Sequence, residues 1–415
     1  MYVPGWILAA PKIAAVAAST AALLAGPAGA SAGLIHSRVP ASRKIMSPAA
    51  KYHYSPLVGV AAAPGGRAWA VGLSTNGISQ HPLIEQWNGS AWRVVPSPNP
   101  GALSSNQNAL NGVADTSATN AWAVGSYTNG LADFTLIDHW NGAKWLQTPS
   151  PSPGVGITST NLYGVEATSA FNAWAVGYYS ANGSYLTLTE HWNGSTWIHV
   201  PSPNPAGAAA SFLTGVAATS PDNAWAVGYS GTGSKNKTLI EHWNGRSWTI
   251  VPSPSPGPHG GQNILNSVAM TSATSAWAVG YDGNVITIAD RTLILHWNGT
   301  QWKQVASVSP AGGAGVSQLY GVAADAAGKA WAVGLYFNRT RTVGGTLTER
   351  WNGSAWLRVA SPSPGAPAGS ALYAVALTSP VRAWATGNYT RAANIYLSLA
   401  ERWNGTTWRQ VPSPS

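Results

Sequence analysis

Cysteine is absent from the 415 residues, which rules out disulfides, thiolate chemistry and cysteine-ligated zinc. Acidic side chains are few, 13 in all, and charged residues make up only 8% of the chain. The helix formers Glu and Lys are correspondingly scarce, which points away from a helical protein. Beyond residue 24 no apolar run is long enough to cross a bilayer. What the chain has instead is a hydrophobic share of 45%, with 22 Trp and 46 Gly, plus abundant Tyr, Val, Thr and turn residues. That is material for a sizeable all-β core.

The first 32 residues read as an export signal. Lys12 precedes the apolar stretch Ile13 to Leu24, and Ala28-Gly29-Ala30 or Ala30-Ser31-Ala32 offers small residues for cleavage. The stretch falls short of the roughly 20 apolar residues of a membrane span; retention as an uncleaved anchor is the alternative. Residues 33–56 read as a flexible N-terminal segment, in which Ser37-Arg38-Val39-Pro40 faintly echoes a later motif. The protein is therefore expected to be secreted or cell-surface associated. A net charge of +9 favours anionic surfaces. Arg and Lys are scattered along the chain, however, and no nucleic-acid-binding stripe is expected.

From residue 57 to 415 the chain is a tandem array. The motif Ala-Trp-Ala-Val-Gly places Trp69, Trp122, Trp174, Trp225, Trp277 and Trp331, with Trp384 in a Trp-Ala-Thr-Gly variant, at intervals of 51 to 54 residues. A second motif, Trp-Asn-Gly, begins at Trp87, Trp140, Trp192, Trp243, Trp297, Trp351 and Trp403. A third Trp always follows five residues later, from Trp92 to Trp408. These three positions hold 21 of the 22 tryptophans, in seven repeats. A period of this length marks a repeat architecture rather than separate domains.

Each repeat reads as four short strands, in the second copy Leu110–Ala114, Ala121–Gly125, Thr135–Trp140 and Lys144 towards Thr148. Asn141-Gly142 predicts a two-residue type I′ hairpin between strands three and four, with Trp140 opposite Ala143 and Asp138 opposite Trp145. Val-Pro-Ser-Pro in strand four suits an outer edge, because proline donates no ladder hydrogen bond. A four-stranded sheet cannot bury both faces alone, but sheets stacked around an axis bury each other. The expectation is a seven-bladed β-propeller of four antiparallel strands per blade, each blade complete within its own repeat. A β-solenoid or a string of small domains fits the repeat length less well.

The run Val-Gly-Tyr, Trp-Asn-Gly-Ser-Thr-Trp and Val-Pro-Ser-Pro, within Val176 to Pro203, resembles the kelch repeat. It departs in having Val-Gly for the glycine pair and an extra Trp before Asn-Gly. The likeness over residues 57 to 412 is also to Trp-rich repeat propellers exported by actinomycete-type bacteria. It implies a fold and no particular reaction.

A feature present in every copy serves the fold, whereas one found in a single copy can serve function. The segments between strands two and three vary, as in Ser126 to Phe134, Tyr178 to Leu186, Tyr281 to Arg291 and Leu335 to Gly345. They read as long loops on one face of the disc, carrying Tyr127, Tyr178, Tyr185, Tyr229, Tyr281, Asp282, Asp290, Arg339, Arg341, Tyr389 and Arg391 as candidate ligand-binding residues. Packing on the next blade is the structural reading of each such Tyr. Glu85, Asp138, Glu190, Glu241, Glu349 and Glu401 share one repeat position, with Leu295 in the fifth copy, and read as buried structural carboxylates. His139, His191, His242 and His296 also share a position and lie too far apart for a metal site. No catalytic residue, metal or cofactor is therefore expected. The protein is read as a monomeric binding or scaffold module for a glycan, cell-wall polymer or extracellular protein. The competing reading is a polysaccharide lyase or hydrolase with acids near the axial channel.

Overall fold

The computed structural model describes residues 53–414 apart from positions 64–65, 76, 102–106, 155–158, 234, 258–260, 285–288, 366, 368, 380 and 393–394. The expected signal peptide and residues 33–52 thus lie outside the described residues. Among those described, the regular secondary structure is β-strand apart from short 3-10 turns such as Gly312–Ala314. None of their helices is long and apolar enough to cross a membrane.

In the second repeat the strands are Ala109–Ser117, Asn120–Thr128, Asp133–Trp140 and Trp145–Gln147, each antiparallel to the one before. The same order runs from Leu57–Ala63, Arg67–Thr75, Gln80–Trp87 and Trp92–Val94 in the first repeat to Ser370–Ser379, Arg382–Ala392, Ile395–Trp403 and Trp408–Val411 in the last. Strand two does not alternate. Ala121, Trp122, Ala123 and Val124 are all buried, because a neighbouring repeat covers each face of the sheet.

The covering is done by tryptophan. Trp69 of the first repeat sits 4.9 and 5.0 Å from Trp140 and Trp145 of the second. Trp122 meets Trp192 and Trp197 in the same way, and the pattern continues through Trp174, Trp225, Trp277 and Trp331. Trp384 then packs on Trp87 and Trp92, joining the last repeat to the first. Each nest of three indoles combines a large apolar area with tilted and edge-on ring geometry.

The innermost strands are stitched to one another. Asn111 Nδ2 donates to the Leu162 carbonyl at 2.8 Å, Thr214 Oγ1 to Leu265 at 2.7 Å and Asn266 Nδ2 to Leu319 at 2.7 Å. Each of these strands carries a β-bulge, between Leu110 and Gly112 in the second copy. The bulge drives a carbonyl onto strand two, where a Cβ on Gly125 or Gly177 would lie 2.0 or 1.8 Å from the oxygen of Ala109 or Asn161. That contact explains the glycine in Ala-Trp-Ala-Val-Gly.

Neighbouring repeats are also joined by a parallel backbone pair. Gln80 pairs with Gln107, Tyr185 with Ala210, and Asp290 with Val316. At the junction of last and first repeats, His53–Tyr54 pairs with Ile395 and Tyr396, and Ser398 Oγ donates to the Ser55 carbonyl at 2.6 Å. The final residues of the segment assigned to 33–56 are therefore part of the fold, with Ser55 wholly buried. They repeat the linkage used between the other units.

Two local expectations change. Trp140 faces Trp145 and Asp138 faces Gln147, so the Asn-Gly turn holds four residues rather than two. Asn141 Oδ1 accepts from the backbone N–H of Ala143 and Lys144, both at 3.0 Å, and only Gly142 takes a positive φ, of 94°. The side chain caps the turn, so a type I′ backbone is unnecessary. The two-residue hairpin with both φ positive lies instead at Asn182-Gly183, between strands two and three. Strand four also ends before its prolines. The following Ser-Pro-Ser run is held by hydroxyls, with Thr135 Oγ1 lying 2.7 and 2.9 Å from Ser150 and Ser152 and donating to the Pro151 carbonyl. Thr238, Thr292 and Thr346 make the same clasp.

Candidate functional site

Where described, the variable segments are short hairpins rather than long loops, apart from residues 338–343 of the sixth repeat, which lie between strands. Strands two and three extend to their tips, as in Asn172–Ala181 and Ser184–Trp192, because Tyr, Thr and Ser continue the strand pattern past Val-Gly. The face they form is a set of short hairpins.

This extension decides where the candidate tyrosines go. Tyr178, Tyr229 and Tyr281 are buried between repeats. Tyr178 and Tyr229 each lie 5.0 Å from the ring of Phe212, and the Tyr178 hydroxyl is 3.2 Å from Ser159 Oγ. Tyr185 packs half-buried on the same Phe212, Tyr127 stacks on Phe134 at 5.3 Å, and Tyr389 packs against the core shared with the sixth repeat. None of the six forms an open platform.

The charged candidates fare differently. Asp282 is 3% exposed and receives Arg291 Nη2 at 2.7 Å and Nε at 3.1 Å, while the Arg291 side chain remains 58% exposed. The pair borders a cavity of about 390 Å³ formed with Asn284, Ala289, Pro256 and Gly313. Asp290 accepts a 2.6 Å bond from Gln318 Nε2, and burial pushes its carboxyl up to about 6. Arg339, Arg341 and Arg391 are exposed, and Arg341 lies 4.4 Å over Phe337. The arrangement anchors one guanidinium and leaves its outer donors to a ligand hydroxyl or carboxylate.

A second cavity, about 340 Å³, runs along the axis between the innermost strands. Its wall is Ala, Val, Met and Leu, with two exceptions, Asp115 and Glu166, on adjacent repeats towards the strand one–two turns. Burial pushes Asp115 up to about 7. Burial, reinforced by the Asp115 charge, pushes Glu166 to about 8. Sequence reasoning missed both, although the signal was present. Other repeats carry Ala, Met or Leu at these positions.

The acids shared around the ring belong to the packing. Glu85, Asp138, Glu190, Glu241, Glu349 and Glu401 have no solvent exposure. The preceding repeat supplies their partners where these are seen: Ser413 Oγ donates to Glu85 at 2.8 Å and the Val308 N–H to Glu349 at 3.2 Å. Burial raises Asp138 and Glu241 to about 8 and Glu349 to about 7, and holds Glu190 and Glu401 well above the carboxylate range. The histidines stack on the strand-two tryptophan of their own repeat, His139 on Trp122 at 4.2 Å, with Nε2 2.8 Å from Asn120 Oδ1. Among the described residues no three His, Asp or Glu side chains gather as metal ligands.

No protein-family model and no curated protein matches the sequence. Solved structures do. A GH74 xyloglucanase from Xanthomonas campestris is similar at a TM-score of 0.52 and 14% identity, over 86% of this chain and 55% of its own. The chain thus spans about half that enzyme's length. A protein of unknown function from Dyadobacter fermentans is similar at 0.49 and 10% identity, over 86% and 96%. The six-bladed fucose-recognising lectin of Aleuria aurantia follows at 0.44 and 13%, over 77% and 100%. With the strand order above, the xyloglucanase likeness makes this chain an all-β propeller, and at such identity it bears on the fold alone.

Proposed function

We propose that the protein is a seven-bladed, kelch-like propeller, exported from the cell, that binds a glycan or cell-wall polymer through its hairpin face. Seven repeats of four strands and the nest around Trp384 support the blade count. The ligand reading is carried by one observation. The Asp282–Arg291 pair, confined to the fifth repeat, leaves an anchored and exposed guanidinium beside a cavity of about 390 Å³. Such a cavity, with a few convergent polar groups, suits a saccharide unit. Glycan-array binding by the purified protein tests the reading, with Arg291→Gln expected to weaken the bound glycan at least about tenfold. Unchanged binding by that variant would remove the site.

The axial carboxyl pair supports a second reading, a polysaccharide lyase or hydrolase. A carboxyl raised to about 8 beside another raised to about 7 has the protonation needed for general acid–base work near neutral pH. Polysaccharide degradation that disappears in Glu166→Gln and Asp115→Asn would establish it. An inactive wild-type protein would dismiss it.

A further inference from the structure

The acids and bases of the fold are sorted in space. The six strand-three acids are fully buried, Asp115 and Glu166 face the axial cavity, Asp282 is covered by Arg291, and Asp133, Asp290 and Asp325 are half-buried. Asp222 is the one exposed acid among the described residues, and it sits in a strand one–two turn, on the face away from the hairpins. The bases stay outside. On the hairpins of repeats four to seven stand Lys235, Lys237, Arg291, Arg339, Arg341 and Arg391, all exposed. The hairpins of repeats one to three carry no Lys or Arg. Residues scattered along the sequence thus place exposed bases on the hairpins of four consecutive repeats, a basic arc that includes the Asp282–Arg291 cavity and the half-buried Asp290.

We infer that this arc binds an acidic polysaccharide, whose carboxylate or sulfate groups lie along these six side chains. The inference rests on the glycan reading above and gives it a chemical class. Arginine forks suit planar carboxylates and sulfates, and summed charge steers a polyanion to the face. Single-stranded nucleic acid fits less well, because it requires open aromatic faces for stacking. Here Tyr336 is covered by Arg358 at 4.4 Å and Phe337 by Arg341 at 4.4 Å, while Tyr229 and Tyr281 are buried.

The test measures binding of the purified protein to polygalacturonate, chondroitin sulfate, neutral xyloglucan and a dT20 oligonucleotide, at low salt and at about 0.3 M NaCl. Binding to one or both acidic polysaccharides is expected, weakened about tenfold or more by salt. It should also fall at least about tenfold in Lys235→Glu/Lys237→Glu and in Arg339→Glu/Arg341→Glu, and hold steady in Gln80→Glu/His81→Glu on the opposite half. Equal loss in all three double variants would overturn the arc. So would tighter binding of dT20 than of either acidic polysaccharide. Xyloglucan binding that depends on Arg291 but not on the other bases would leave the glycan reading standing and defeat this one.

Discussion

Trp384 packs on Trp87 at 4.9 Å, the same separation at which Trp69 packs on Trp140, although the first pair joins opposite ends of the array. The closing contact is chemically the same as an internal one, so it should be as strong. Trp384→Ala is expected to cost about 3–5 kcal/mol, and Trp174→Ala the same to within about 1 kcal/mol. Urea unfolding measures both. A Trp384 variant indistinguishable from wild type would mean that the ring is open in solution. Truncation after Pro364 should give an oligomeric or insoluble product, since two apolar faces lose their cover.

Stability should fall as pH rises. Asp138 and Glu241 at about 8 and Glu349 at about 7 lie far above their ordinary values of 3.8 and 4.5. A carboxyl raised in the folded state contributes stability that is fully present below its unfolded pKa and is lost as pH climbs through the folded value. The window is therefore about pH 4.5 to 8, and the Tm at pH 8.5 should lie about 5 °C or more below that at pH 5. Glu190→Gln should make the profile shallower, since one of the raised carboxyls is removed. A flat wild-type profile would show that these carboxyls are not buried in solution.

The Asn-Gly turns offer two separable effects. Gly194 has φ of 94°, so Gly194→Val forces a β-branched residue into the left-handed region at about 1–3 kcal/mol. Asn193 Oδ1 accepts from the N–H groups of Ser195 and Thr196, both at 3.0 Å, and Asn193→Ala should cost about 1 kcal/mol. Thermal melts of the two variants check both values.

The N-terminal boundary can be tested by paired deletions. Removing residues 33–50 should change stability by no more than about 0.5 kcal/mol. Extending the deletion to residue 56 removes the His53–Tyr54 pairing and the Ser55 carbonyl and should cost at least about 2 kcal/mol more. Equal stabilities would show that the junction is held by the indoles alone.

Much of this architecture can be read from one repeat laid on the next. The spacing of Trp69 to Trp384 locates every strand two, and the Trp-Asn-Gly motif locates every strand three. Proline after Val95 or Val200 signals the outer edge without showing that the strand stops first. Local signals mislead where a side chain substitutes for backbone geometry, as Asn141 does in capping its turn. They also mislead where a strand outlasts its motif, which is why Tyr178 and Tyr229 looked like loop residues and are buried. Asp115 and Glu166 escape attention for a different reason. An acid inside Gly-Val-Ala-Asp or Gly-Val-Glu-Ala looks like an ordinary polar strand position until the axial cavity gives it a wall to stand in.

Every joint in the array has the same lock and the same key. A copy of the repeat gained or lost by duplication would therefore still offer a matching indole to one neighbour and a matching pair to the other. Nothing in the chemistry of the joints would register the miscount. The number is kept instead by steric fit at the hub. There the bulged inner strands come so close that a Cβ on Gly164 would lie 3.0 Å from the Cα of Gly215, and one on Gly215 as close to Ser267. Drift in copy number among descendants of such a gene is then checked by the size of the side chains tolerated at those few positions. A Cβ on Gly321 would likewise lie 2.9 Å from the Cα of Ala374, so the repeat with alanine at this position is held as closely as those with glycine.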